Sequence, residues 1–162
     1  WGIQRMSPSL AAVMFVIYAG VLGFSLSLIF LVFDIGSIVT AFVTTAILFG
    51  AMTMLGFTTD IDLSRFRNLF LMALFGLVIA IVVNMFLGSG PLNFLISIIG
   101  VIIFMGLTAY DTQNIKRIAA APEVQGDSAV LAKMSIFGAL SLYLNFINIF
   151  LFLLQIMGGG RD

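Results

Sequence analysis

Five apolar runs constrain this chain more than any other feature. They cover residues 10–33, 38–55, 69–87, 92–110 and 130–157. Each is close to the roughly 20 residues that a helix needs to cross the hydrocarbon core of a bilayer. Short polar breaks separate them: Asp34-Ile35-Gly36-Ser37, the loop 58–68 with Asp60, Asp62, Arg65 and Arg67, the turn Gly88-Ser89-Gly90-Pro91, and the stretch 111–127 with Pro122 and Gly126. Only helices and closed barrels satisfy the backbone in lipid, and these runs have the length of helices rather than of alternating barrel strands. Apolar residues make up 62% of the chain and charged residues only 9%, whereas a soluble domain is about half apolar and about a quarter charged. So few charges could not cover a water-facing surface. The expectation is an all-α membrane protein, a polytopic bundle of five spans forming a single transmembrane domain over residues 1–162, with the lipid bilayer as its solvent.

Several functions fall away. The formal net charge is zero, which gives no sign of nucleic-acid binding or of a polybasic anchor. Cysteine and histidine are both absent, so disulfides, thiolate metal sites, thiol nucleophiles and imidazole pH sensors are excluded. No zincin, nucleophile-elbow or phosphate-loop motif occurs, and no cofactor or catalysis is expected. The chain begins at Trp1, and residues 1–9 lack a signal-peptide pattern. Such a start fits either a processed chain or a piece of a longer one. With five spans, Arg5, Arg65, Arg67, Lys116, Arg117 and Lys133 fall on one side of the membrane and Arg161 alone on the other. The positive-inside rule then places the N-terminus in the cytoplasm and the C-terminus outside.

Polar residues inside the runs indicate what the bundle encloses. On the fifth run Gly138, Ser141, Asn145, Asn148 and Gln155 follow at helical spacing, with Phe152 filling the gap in the series. Amides are costly against lipid, so this stripe should turn toward neighbouring helices and make the fifth helix central. It can act as hydrogen-bonding glue or line a solute path, and spacing does not choose between them. Gly20, Gly23 and Ser27, Thr40 and Thr44, and Ala73, Gly76, Ala80 and Asn84 read as small faces for close packing. Asp111 abuts the fourth run, with Thr108 one turn before it. It either ends the span in headgroup water or enters the bundle, where lost hydration disfavours a charged carboxylate and ion or proton paths are common. Asp34, Asp60, Asp62, Glu123 and Asp127 read as solvated loop charges.

The segment Gly106-Leu107-Thr108-Ala109-Tyr110-Asp111-Thr112-Gln113 and the later segment Ile136-Phe137-Gly138-Ala139-Leu140-Ser141-Leu142-Tyr143-Leu144-Asn145-Phe146-Ile147-Asn148 carry a resemblance. Together they resemble the signature of the Bax inhibitor family (transmembrane BAX inhibitor motif), and the likeness, which includes Phe49-Gly50-Ala51-Met52-Thr53, covers essentially the whole chain. The resemblance implies a bacterial-type member of a seven-helix fold with the last helix central, and therefore two helices before Trp1. It implies a plasma-membrane protein of stress protection and ion homeostasis, acting as a pH-modulated calcium leak channel. Its alternative is a non-conducting partner that modulates a membrane-bound AAA protease. In the family's channel, an aspartate of the sixth helix pairs with one of the seventh, and an arginine of the second helix latches onto them. Asp111 matches the first aspartate. Asn145 stands at the second, a departure that removes the like-charge pair and should weaken or shift the acid response. The arginine has no counterpart here. Asp111 and Asn145 are thus the expected pH-sensing and gating residues. With oxygens of Ser141, Asn148 and Thr108, they would make a weak, transient site for calcium as permeant ion.

Overall fold

The computed structural model describes residues 7–122 and 126–158; Arg5, Glu123 and Arg161 lie outside them. Among the described residues the regular structure is entirely helical. It comprises α1 (Pro8–Leu26), the short α2 (Ile29–Val32), α3 (Ile35–Thr58), α4 (Arg67–Leu87), α5 (Gly90–Ala119) and α6 (Ser128–Gly158), with a 3-10 turn Leu63–Phe66 leading into α4. Five segments are long and apolar enough to cross a membrane: Pro8–Val32, Ile35–Thr58, Leu63–Leu87, Gly90–Ala119 and Ser128–Gly158.

Local chemistry sets the ends. The Ser7 hydroxyl accepts from Leu10 N, with Pro8 in the first turn of α1. Asp34 caps α3 by accepting from both the amide and the hydroxyl of Ser37. Asp127 accepts from Ala129 N and Val130 N at the start of α6. Gly88, at φ 60°, closes α4 in the left-handed region, and Asn84 Oδ1 takes the next free amide, Ser89 N. Asp34 and Asp127 are thus exposed loop charges that also cap helices, and Asn84 is a cap rather than a packing residue.

Two boundaries differ from the sequence expectation. The first run is not one continuous helix. The Ser25 and Ser27 hydroxyls donate back to the Val21 and Phe24 carbonyls, a bonding mode that bends helices, and the chain restarts as α2. The fourth helix does not stop at Tyr110 but continues to Ala119. Its 30 residues span about 45 Å at 1.5 Å per residue, against about 30 Å of hydrocarbon. The polar last third can therefore stay helical in headgroups and water, and Lys116 and Arg117 in its last turn suit the negative end of the helix dipole. Polarity at Asp111 marks the end of the apolar solvent, not of the helix.

The core lies between α5 and α6, which share the most extensive interface; α3 packs across both, α4 on α5 and α1 on α6. Ile96, Val101, Ile103 and Phe104 of α5 meet Ile149, Phe150, Phe152, Leu153 and Leu154 of α6, with Ala41 and Leu77 completing the cluster. The last helix is central, as the resemblance implies, but it shares that place with α5. Phe24, Leu31, Met72, Phe75, Met85 and Phe86 point outward, the surface expected against acyl chains. The tightly covered glycines are not where small residues alone suggest them. Space is open around Gly20, Gly23 and Gly76, whereas Gly56 abuts Ala109, Gly100 abuts Phe152 and Gly138 abuts Ile115.

Candidate functional site

Asp111 sits on the α5 face turned to α6. On α6, Ser141 and Asn145 are one turn apart and so present their polar groups on one side. Ser141 Oγ donates to Asp111 Oδ2 at 2.5 Å and Asn145 Nδ2 donates to the same oxygen at 2.7 Å. Asn145 is 5% exposed. Asp111 is thus held into the bundle by two donors rather than left to end a span in water. At 1.5 Å per residue it lies about 31 Å along α5 from Gly90, near the depth at which hydrocarbon gives way to headgroups.

Two clefts meet at this carboxylate. One, of about 240 Å³, opens between the C-terminal part of α5 and the start of α6, with Asp111, Asn114, Ser135 and Ser141 among its polar walls. The other, of about 410 Å³, lies between α4, α5 and α6 and is lined by Arg67, Tyr110, Asp111, Ser141, Asn145 and Asn148 together with apolar side chains. The Asp111–Ser141 pair borders both. Among the described residues no group of three acidic side chains stands together to hold a metal ion, so a cation here would meet one carboxylate and neutral oxygens.

The other predicted site residues divide. Asn148 lines the larger cleft but spends its amide N–H on the Leu144 carbonyl at 2.8 Å. Thr108 is fully buried and its hydroxyl donates to the Phe104 carbonyl at 2.7 Å. Spacing puts Thr108 near the face of Asp111, yet its own helix takes its proton and it lines neither cleft. Gln155, at the far end of the stripe, accepts from Ser97 Oγ at 2.9 Å.

A second polar cluster escapes sequence reasoning. Arg117 donates to Asp62 Oδ1 at 2.7 Å, Gln113 accepts from Leu63 N and donates to the Ile61 carbonyl, and Lys116 donates to the Phe57 carbonyl while lying over the Phe57 ring. The loop between α3 and α4 is thereby clipped to the end of α5 from Gln113, two residues beyond Asp111, to Arg117. Hydrogen bonds from the Ser64 hydroxyl, then the Arg117 guanidinium and the Ser64 amide, hold the Asp62 carboxyl down at about 2. Asp62-Leu63-Ser64 was the available sequence signal, an aspartate able to bond the backbone two residues on. The partner Arg117 is too distant in sequence to be read from it.

Comparison with known proteins agrees with this architecture. The family described as inhibitor of apoptosis-promoting Bax1 matches residues 1–162. The inner membrane protein YbhL of Escherichia coli is 47% identical over 159 residues, which cover 98% of this chain and 68% of YbhL. A protein of Borreliella burgdorferi is 43% identical over 160 residues, 99% of this chain and 68% of that one. A membrane protein of Streptococcus pyogenes is 42% identical over 158 residues, 97% of this chain and 67% of its own length. A match over the whole chain, relatives named as membrane proteins and five helices of spanning length lead to one conclusion: the chain is an integral membrane protein and belongs to the Bax inhibitor family.

Proposed function

We propose that this protein is a calcium-permeable leak channel of the bacterial inner membrane, modulated by pH, non-enzymatic, and serving ion homeostasis under membrane stress. One observation carries the reading: Asp111 is held inside the bundle by Ser141 and Asn145 while it borders two clefts. An ionisable group at membrane depth that is turned to a cavity is a functional-site hypothesis by default. Asn145 gives its N–H to Asp111 and leaves its amide oxygen for a cation. A single carboxylate with neutral oxygens binds weakly enough to release an ion, which conduction requires. Proton binding at Asp111 would remove the charge that attracts the cation, while the oxygen that accepts from Ser141 and Asn145 could go on accepting. This couples acid to occupancy. In this reading the end carrying Arg65, Arg67, Lys116 and Arg117 faces the cytoplasm, in line with the positive-inside rule.

The test is calcium entry into dye-loaded liposomes at acid and neutral pH, for the full chain and for Asp111→Asn at equal insertion. Flux that depends on Asp111 is expected. A non-conducting modulator of a membrane-bound AAA protease needs only the intact fold. Folded protein that passes no more calcium than empty liposomes overturns the channel in favour of that role.

A further inference from the structure

The polar stripe of α6 has a vacancy. Ser141, Asn145, Asn148 and Gln155 keep helical spacing, and the position that would continue the series between Asn148 and Gln155 holds Phe152. The ring is not turned away to lipid. Phe152 is 8% exposed and packs on Phe104 of α5, ring centroids 6.0 Å apart. It also fills the place of a side chain at Gly100: a Cβ there would stand 2.6–2.8 Å from three carbons of the ring. The surroundings are dry, since Ile149, Leu153 and Leu154 are all buried beside it. On one side of this block lie Asp111, Ser141, Asn145 and the two clefts. On the other, the fully buried Ser97 shares its hydroxyl proton between the Asn93 carbonyl at 2.8 Å and Gln155 Oε1 at 2.9 Å. From Asn145 to Gln155 the stripe runs about 15 Å along the helix at 1.5 Å per residue.

We propose that Phe152, seated on Gly100, is the hydrophobic gate of this seam, and that Ser97 and Gln155 form a second station of neutral oxygens for the permeant cation beyond it. The proposal rests on the channel reading. A constriction lined only by apolar groups excludes water and ions by dewetting, and a hydrated divalent cation pays heavily to enter a wall without oxygen ligands. Gly100 makes the gate reversible. With no side chain behind it, the ring has a seat to occupy when closed, and a shift of the ring toward Phe104 or out of the α5–α6 seam joins the two polar stations. The serine hydroxyl and amide oxygen at Ser97 and Gln155 carry no charge, so an ion arriving there is held loosely and can leave.

The experiment is calcium flux in liposomes for the full chain, Phe152→Asn, Phe152→Leu and the double variant Phe152→Asn/Asp111→Asn, each checked for monodispersity and thermal unfolding. Phe152→Asn completes the polar stripe and is expected to raise flux about tenfold or more by wetting the constriction. Phe152→Leu, which keeps an apolar side chain of smaller size, is expected to give a smaller rise, and the double variant to fall back. Should wild type conduct through Asp111 while folded Phe152→Asn and Phe152→Leu match it, the gate is overturned and the channel stands. A folded wild type that passes no calcium overturns the channel reading, and the gate with it. Silence from all folded variants overturns both.

Discussion

The close approach of α3 to α5 at Gly56 makes a quantitative prediction. A Cβ at Gly56 would stand 2.2 Å from the Ala109 carbonyl oxygen and 2.9 Å from its carbonyl carbon and Cα. Ordinary carbon–oxygen contacts lie at about 3.3–3.6 Å, so Gly56→Ala requires the two helices to part by about 1 Å. The obstacle is backbone on both sides, and no rotamer change relieves it. Overpacking of this kind costs about 1–3 kcal/mol, and a rigid backbone clash belongs at the upper end. Replacing glycine by alanine within a helix returns about 1 kcal/mol, leaving a net loss of about 2 kcal/mol. For a chain of this size 1 kcal/mol moves Tm by about 2–4 °C, so the expected fall is about 4–8 °C. Gly76→Ala is the control. It also sits within a helix but meets nothing within 4 Å, so only the helix-propensity gain operates and Tm should rise by about 2–4 °C. Thermal unfolding in one detergent, followed by tryptophan-independent dye fluorescence or by size exclusion after heating, reads both. Gly56→Ala melting at or above Gly76→Ala would refute the packing argument, because it would mean that α3 and α5 do not touch through this glycine.

Three further outcomes are expected. The Asp62 carboxyl is lowered from 3.8 to about 2, so the unfolded loop binds a proton more readily than the folded one, and the clip to Arg117 is fully present above about 4 and lost as pH falls toward about 2; protection of the Leu63 and Ser64 amides relative to their intrinsic exchange should fall across that window, and Arg117→Gln should blunt the change. Asn145→Asp brings a second carboxylate to within hydrogen-bond distance of Asp111, where the two must compete for one proton, so the acid dependence of calcium flux should sharpen; an unchanged profile counts against Asp111 and Asn145 as the sensing pair. Because the chain has no cysteine, single thiols report access cleanly: Asn148→Cys, on the wall of the larger cleft, should react with a water-soluble maleimide, while Ile149→Cys, fully buried, should not, and an Asn148→Cys as unreactive as Ile149→Cys would show that the cleft is not wetted.

What could be read from the sequence was whatever the solvent dictates. The five runs were legible because hydrocarbon tolerates no charge over the length of a span. The α6 stripe was legible because amides shun lipid and the helix repeats every 3.6 residues. The stripe named Ser141 and Asn145, the family resemblance set Asn145 opposite Asp111, and the three side chains do meet. The continuation of α5 to Ala119 was not legible, since hydropathy reports which solvent surrounds a residue and not whether its backbone is helical. The break between α1 and α2 was hidden because Ser25 and Ser27 look like small packing residues until their hydroxyls are seen to bond backward. Thr108 misled for a related reason: spacing gives a side chain's direction but not the bond its hydroxyl prefers. Glycine spacing likewise says nothing of neighbours, so Gly20, Gly23 and Gly76 read as packing faces although space is open around them, and the tight contacts fall at Gly56 and Gly100, which no spacing singled out. The Asp62–Arg117 clip joins residues far apart in the chain, which no periodicity encodes.

The stripe on α6 left glue and solute path as alternatives, and the arrangement of its bonds makes them compatible. Each polar side chain of the stripe has at least one partner within the helix pair: Ser141 and Asn145 bond Asp111, Asn148 its own helix, and Gln155 accepts from Ser97. These bonds lower the cost of placing amides and a carboxylate between the helices, which is what glue does. None of them uses up the oxygens. The acceptor atoms of Asp111, Asn145 and Gln155 keep lone pairs, so a cation can take over a share of them without leaving an N–H orphaned elsewhere. A seam made only of apolar packing would hold the helices as well but could never admit an ion. One made of unpaired polar groups would admit water and not stay closed. Satisfied polar groups on both sides of an aromatic block meet both demands, and on the channel reading the energy needed to open the seam is set by moving Phe152 rather than by breaking the hydrogen bonds that hold it.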